Sequence, residues 1–112
     1  MRRTVVELPE FIRRAKAVMP EAERVELIST LGELPGAGVS MGGGLRKLRF
    51  ARGGAGKSGG YRVVYLYLAQ ADLPVFLLTV FAKNEKANLS AVEAARLAQL
   101  AAMIAATYGK QP

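Results

Sequence analysis

Lys47 and Arg49 are separated by one residue, Arg62 follows a glycine-rich interval, and Lys83 and Lys86 come after a further apolar run. In an extended chain, side chains two apart share a face. That spacing brings the five cations toward one face of a sheet. Lysine and arginine donate hydrogen bonds and accept none. Grouped, they repel each other until an anion is present. The chemistry open to such a set is holding phosphate and stabilising charge that develops on it. The competing reading is a solvated sheet face with scattered cations. Histidine and cysteine are absent, which removes the commonest general base, the commonest metal ligands, disulfides and thiolate chemistry. Any catalysis must run on Lys, Arg, Tyr, Ser, Thr, Asp or Glu, and no metal or other cofactor is expected.

The distribution of charge supports the first reading. Of the net +7, residues 1–44 contribute nothing, with six basic and six acidic side chains. Leu45–Lys86 carries eight basic and two acidic residues, a net +6. Even spreading would serve solubility; a block points to an anionic partner, here nucleic acid and RNA foremost.

Ala51–Ser58 fits a relaxed phosphate-loop pattern, with Ala in place of the first Gly. A phosphate loop must open into a helix whose N–H groups face the phosphates. The segment that follows, from Tyr61, reads as strand instead. The loop is therefore expected to join two strands, and Arg52 and Lys57 can reach phosphates from it. Tyr61, Tyr65 and Tyr67 share a face of that next strand and can stack on bases, but they are expected to pack under helices with their hydroxyls at the rim.

The elements that must position these side chains follow from periodicity. Thr4–Leu8 reads as a short strand ending at Pro9. Glu10–Val18 places Phe11, Ala15 and Val18 on one helical face. Pro20 suits the first turn of a second helix, with Ala22, Val25, Ile28 and Leu31 as its apolar face, stopping near Gly32–Pro35. Pro35–Gly44 reads as loop. Leu45–Arg52 alternates, with Leu48 and Phe50 one way and Lys47 and Arg49 the other. Tyr61–Leu68 is rich in β-branched and aromatic residues. Val75–Ala82 is nearly all apolar and should be a central strand covered on both faces. Tight turns imply antiparallel pairing of these three strands. Ser90-Ala91-Val92-Glu93 matches a capping box opening a helix whose face is Leu97, Leu100, Ala101, Ile104 and Tyr108, ending at Gly109. The expectation is a single α+β domain over residues 1–112, ordered β-α-α-β-β-β-α, with an antiparallel sheet, an N-terminal helical hairpin and a C-terminal helix. A hydrophobic fraction of 51% is enough for a core. No apolar run is long enough to span a membrane, and Met1-Arg2-Arg3 leads into no secretory h-region, so a cytoplasmic protein is expected.

Three ordered motifs, Gly43–Arg52, Gly56–Tyr65 and Leu78–Ser90, together with Glu7-Leu8-Pro9-Glu10-Phe11, closely resemble the RelE/ParE superfamily of bacterial toxins, nearest the RelE-like HigB branch. The resemblance implies a compact RelE-like fold and a ribosome-dependent mRNA endonuclease acting by attack of a ribose 2′-hydroxyl on the adjacent phosphate. It also implies the ribosome and mRNA as partners, and a cognate antitoxin, typically of helix-turn-helix type. Carried onto this chain, it makes Arg62 the phosphate-stabilising arginine and Lys47 and Arg49 the basic pair of the preceding strand. Lys83 becomes a further catalytic cation, and Arg46, Arg52, Lys57 and Lys86 become RNA-binding. Some relatives have a His or a C-terminal Tyr at the scissile nucleotide; this chain has no His and no Tyr in the segment that follows Lys83, and Tyr108 lies far along the last helix. The same fold also serves ParE-like inhibitors of DNA gyrase, and a non-catalytic RNA-binding module is a third reading.

Overall fold

The computed structural model describes residues 2–51, 60–69 and 72–108. Its elements are β1 (Val5–Glu7), α1 (Pro9–Val18), α2 (Glu21–Glu33), β2 (Val39–Gly42), β3 (Leu45–Phe50), β4 (Tyr61–Leu66), β5 (Val75–Ala82) and α3 (Ala91–Tyr108). The five strands form one sheet in the order β1-β5-β4-β3-β2. The pairs β2–β3, β3–β4 and β4–β5 are antiparallel.

The α+β architecture is as expected, with two differences in the sheet. β1 pairs parallel to β5, so the sheet is mixed. A parallel pair needs a long crossover, and here the helical hairpin and three strands lie between the partners, out of reach of turn-based reasoning. The second difference is β2, inside the stretch read as loop. All four of its residues are exposed, so neither alternation nor an apolar run marks it. Gly42, Gly43 and Gly44 have φ of 97°, 64° and 87°, the left-handed region that glycine enters freely. They turn β2 back into β3.

Helices cover both faces. On one, the hairpin packs Phe11 and Ala15 of α1, Met19 just after it, and Leu27 and Leu31 of α2 against Tyr61, Val63, Tyr65, Leu77 and Val80. On the other, α3 lays Leu97 and Ala101 on Leu45, Val64, Leu66, Phe76 and Leu78. The face expected of α1 is the one buried. In α2 the buried positions are Leu27, Leu31 and Gly32; Val25 is 53% exposed, so the inward stripe is rotated from the repeat read in the sequence. Pro20 is the N-cap of α2, one residue outside it.

All eight residues of β5 are buried, as expected of a strand covered on both faces, although β4 holds the middle position. The β4–β5 register steps from Val64↔Thr79 to Tyr65↔Leu77, giving β5 one extra residue. The capping box forms: Glu93 N–H donates to Ser90 Oγ at 3.1 Å, and Ser90 N–H to Glu93 Oε1 at 2.9 Å. No described helix is long and apolar enough to cross a membrane.

Candidate nucleic-acid interface

β3 sorts its side chains as its alternation requires. Leu48 and Phe50 pack toward the helical hairpin, while Leu45 joins the core under α3. Lys47 and Arg49 therefore share the α3 face. On β4, Val64 and Leu66 lie under α3, and Arg62 has the same parity. The helix covers the Leu45–Leu66 end of this face. Toward the other end Lys47, Arg49 and Arg62 line an open hollow of about 430 Å³ with Ala37, Gly38, Val39, Leu48 and Asn88. Arg49 is directly opposite Arg62, and Lys47 is directly opposite Val39.

The charge of the hollow is uncompensated. Arg14, Arg24, Lys86 and Arg96 all have carboxylate partners, respectively Glu85, Glu7 with Glu21, Glu93 and Glu10. Lys47, Arg49, Arg62 and Lys83 have none among the described residues. Arg49 and Arg62, register partners with no acid beside them among the described residues, are like charges whose repulsion an anion relieves.

One wall of the hollow, Ala37–Val39, is fixed from behind. Tyr65 Oη accepts from Gly38 N–H at 2.8 Å and donates to Pro35 O at 2.7 Å. Burial, foremost, pushes the Tyr65 phenol above its usual range, against the opposing influence of the Gly38 amide and Arg46. Arg46 points to the hairpin side of the sheet, and its guanidinium donates to Gly38 O at 2.7 and 3.2 Å and to Gly36 O at 3.1 Å. A Cβ at Gly38 would lie 2.8 Å from Lys47 O and 2.9 Å from Tyr65 Oη, so only glycine lets this wall approach β3 so closely.

The tyrosines are accordingly structural. Tyr61 and Tyr65 are fully buried, Tyr61 Oη donates to Glu23 at 2.6 Å, and Tyr67 lies under the Arg3 guanidinium. Lys83 is exposed at the end of β5. Its backbone N–H donates to Gly60 O, and its side chain does not line the hollow. Lys86 is held 2.5 Å from Glu93 and sits 4.9 Å above the ring of Phe81, the residue opposite Arg62 on β5. Arg52 and Lys57 lie outside the described residues, as does the rest of the glycine-rich loop from 52 to 59. The strand that follows that loop, β4, leaves the relaxed phosphate-loop pattern without the helix it requires. Asn88 was not anticipated from its residue type. Its signal was its place in the Leu78–Ser90 motif, in the turn that carries the chain from β5 onto the α3 face.

The family model of the "RelE toxin of RelE / RelB toxin-antitoxin system" matches residues 10–111. The chain belongs to the RelE toxin family. It is thus a toxin of a toxin–antitoxin pair, and its family implies an antitoxin as partner. Among solved structures, it is similar to an E. coli RelE toxin, a double arginine-to-alanine mutant in the free state. The two are 20% identical, with a TM-score of 0.52, over 71% of this chain and 82% of the E. coli chain. At that identity the likeness speaks for the fold. The RelE-family toxin described here brings Lys47, Arg49 and Arg62, without carboxylate partners among the described residues, to the face of the sheet that carries α3.

Proposed function

We propose that this RelE-family toxin is a single-domain endoribonuclease that cleaves mRNA on the ribosome, in the cytoplasm, without a metal ion. The observation that carries the reading is the convergence of Lys47, Arg49 and Arg62 on one open hollow, with no carboxylate partner among the described residues. Such a set fits a phosphodiester. The reaction it suits is attack of the ribose 2′-oxygen on the adjacent phosphorus, with loss of the hydroxyl proton. The bond to the 5′-oxygen breaks, leaving a 2′,3′-cyclic phosphate and, after protonation, a free 5′-hydroxyl. Arg49 and Arg62 stabilise the charge gathered on the phosphorane oxygens. Lys47, beside them on β3, is the group placed to handle the hydroxyl proton. Lys83 and Lys86 add cations for the ribosome and the mRNA backbone, a role that the resemblance also gives to Arg52 and Lys57. Arg46 contributes through the loop it holds. The antitoxin, of helix-turn-helix type in the branch that the motifs resemble, restrains the toxin by covering or distorting this face.

The test is inducible expression followed by mapping of mRNA 5′ ends. New ends within translated reading frames, dependent on ribosome engagement, are expected. Growth arrest with unchanged transcripts would sink the proposal, and inhibition of gyrase supercoiling by the purified toxin would replace it with the ParE-like reading.

A further inference from the structure

Phosphate contacts position a nucleic acid but carry no sequence information; base contacts supply that. Three of the side chains lining the hollow are the cations assigned above to the phosphodiester, and Ala37, Gly38, Val39 and Leu48 have no side-chain hydrogen-bonding group. Asn88 is the remaining one. Its amide offers a donor and an acceptor side by side, whereas the cations only donate. It is exposed, and no hydrogen bond occupies it among the described residues.

The turn that carries Asn88 is fixed at both ends. At the start, Glu85 accepts from Ala82 N–H at 3.0 Å and pairs with Arg14 of α1. At the other end, the Lys86–Glu93 pair and the reciprocal Ser90–Glu93 bonds tie the turn to the first turn of α3. A turn tied at both ends places the Asn88 backbone at the hollow before substrate arrives and leaves its amide free to meet a flexible single strand.

We propose that Asn88 is a specificity-determining residue: its amide reads a base edge of the nucleotide next to the scissile phosphate. Adenine presents a matching donor and acceptor, N6 and N7, to a bidentate amide, and bases of single-stranded RNA are read along such edges. The inference rests on the endonuclease reading of the same hollow.

The experiment maps mRNA 5′ ends after induction of the wild-type chain, Asn88→Ala and Asn88→Asp, with total cleavage measured in each. Expected for Asn88→Ala is abundant cleavage with the preference at one position next to the cut flattened by about tenfold, the scale of one bidentate contact. Asn88→Asp, which only accepts, should move the preference toward bases presenting an amino group, such as cytosine. Unchanged preference in both variants would overturn the proposal. So would a uniform loss at every site, which would make Asn88 a positioning residue for the reaction. Because Asn88 is exposed, its replacement opens no core cavity; matching thermal melts of the three proteins verify this. If the wild-type chain cuts no mRNA, the endonuclease reading itself fails, a result distinct from intact cleavage with unaltered preference.

Discussion

Arg49 and Arg62 are direct register partners across the β3–β4 ladder, on the face of the sheet that α3 leaves open. Like charges placed opposite each other destabilise a sheet. No acid offsets them among the described residues, so the arrangement favours an anion over the empty fold.

This relationship predicts opposite effects on stability and activity. Arg62→Ala should lower cleavage of ribosome-bound mRNA by ~10²-fold or more, the scale for losing one oriented charge stabiliser. Arg49→Gln should also slow cleavage, yet raise folding stability by roughly 0.5 kcal/mol as the facing charge is removed. Urea melts in low salt and in sulfate check the second point, since a bound anion should stabilise the wild type more than the variant. A wild-type cleavage rate for Arg62→Ala would refute its role.

Much of this geometry was legible in the sequence because it rests on period-two alternation. Lys47 and Arg49 against Leu48 and Phe50, and Arg62 in phase with Val64 and Leu66, needed no knowledge of tertiary contacts. The capping box was legible for a similar reason, being local chemistry. What escaped were features set by distant partners. β2 has no buried face and exists because it pairs with β3. β1 finds β5 across most of the chain. The α2 stripe is decided by which side meets the sheet. Arg46, one residue from Lys47 and of the same charge type, faces the other way; only the position of Gly36 and Gly38 shows that its donors are used within the fold.

The wall behind the hollow supplies a second prediction. Tyr65→Phe keeps the buried ring but leaves Gly38 N–H and Pro35 O without their partner. An unsatisfied buried polar group costs about 1–3 kcal/mol. Gly38→Ala meets Lys47 O and Tyr65 Oη at under 3 Å, and such overpacking costs about 1–3 kcal/mol. Both should appear as lowered denaturation midpoints accompanied by slower cleavage, because the wall moves. Stability loss with full cleavage activity would show that the wall does not shape the site.

Arg46 and Lys47 should separate cleanly in a salt titration of RNA binding. Each phosphate contact adds to the dependence of affinity on salt. Lys47→Ala should reduce the slope of log K against log salt by about one contact. Arg46→Ala should leave that slope nearly unchanged while lowering stability by roughly 1–2 kcal/mol, as its bonds to Gly36 and Gly38 are lost. Equal slope changes for the two variants would mean that Arg46 also leaves its loop to grip phosphate.

The contact of α3 with the rest of the fold should respond to acid before the sheet does. Partial burial pushes the Glu10 carboxyl up, but hydrogen bonds from Arg96 of α3 and from Thr79, with the charges of Arg96 and Arg13, hold it below its usual range. Lys86, with the Ser90 backbone, holds Glu93 down at about 2, against an ordinary value of 4.5. A carboxyl whose folded pKa is depressed contributes stability that is complete above the unfolded pKa and is lost as pH falls through the folded one. Both groups therefore lose their contribution as pH falls below about 4.5, Glu93 toward about 2, and both tie α3 or its preceding turn in place. β4 and β5 are held by buried apolar contacts, which acid does not titrate. Amide exchange, corrected for its intrinsic pH dependence, should thus rise in α3 within that window while β4 and β5 stay protected. The double variant Glu10→Gln with Glu93→Gln should show weak α3 protection already at neutral pH and little further change in acid. Simultaneous loss of protection in α3 and the sheet, with the same acid profile in the double variant, would place the acid sensitivity elsewhere.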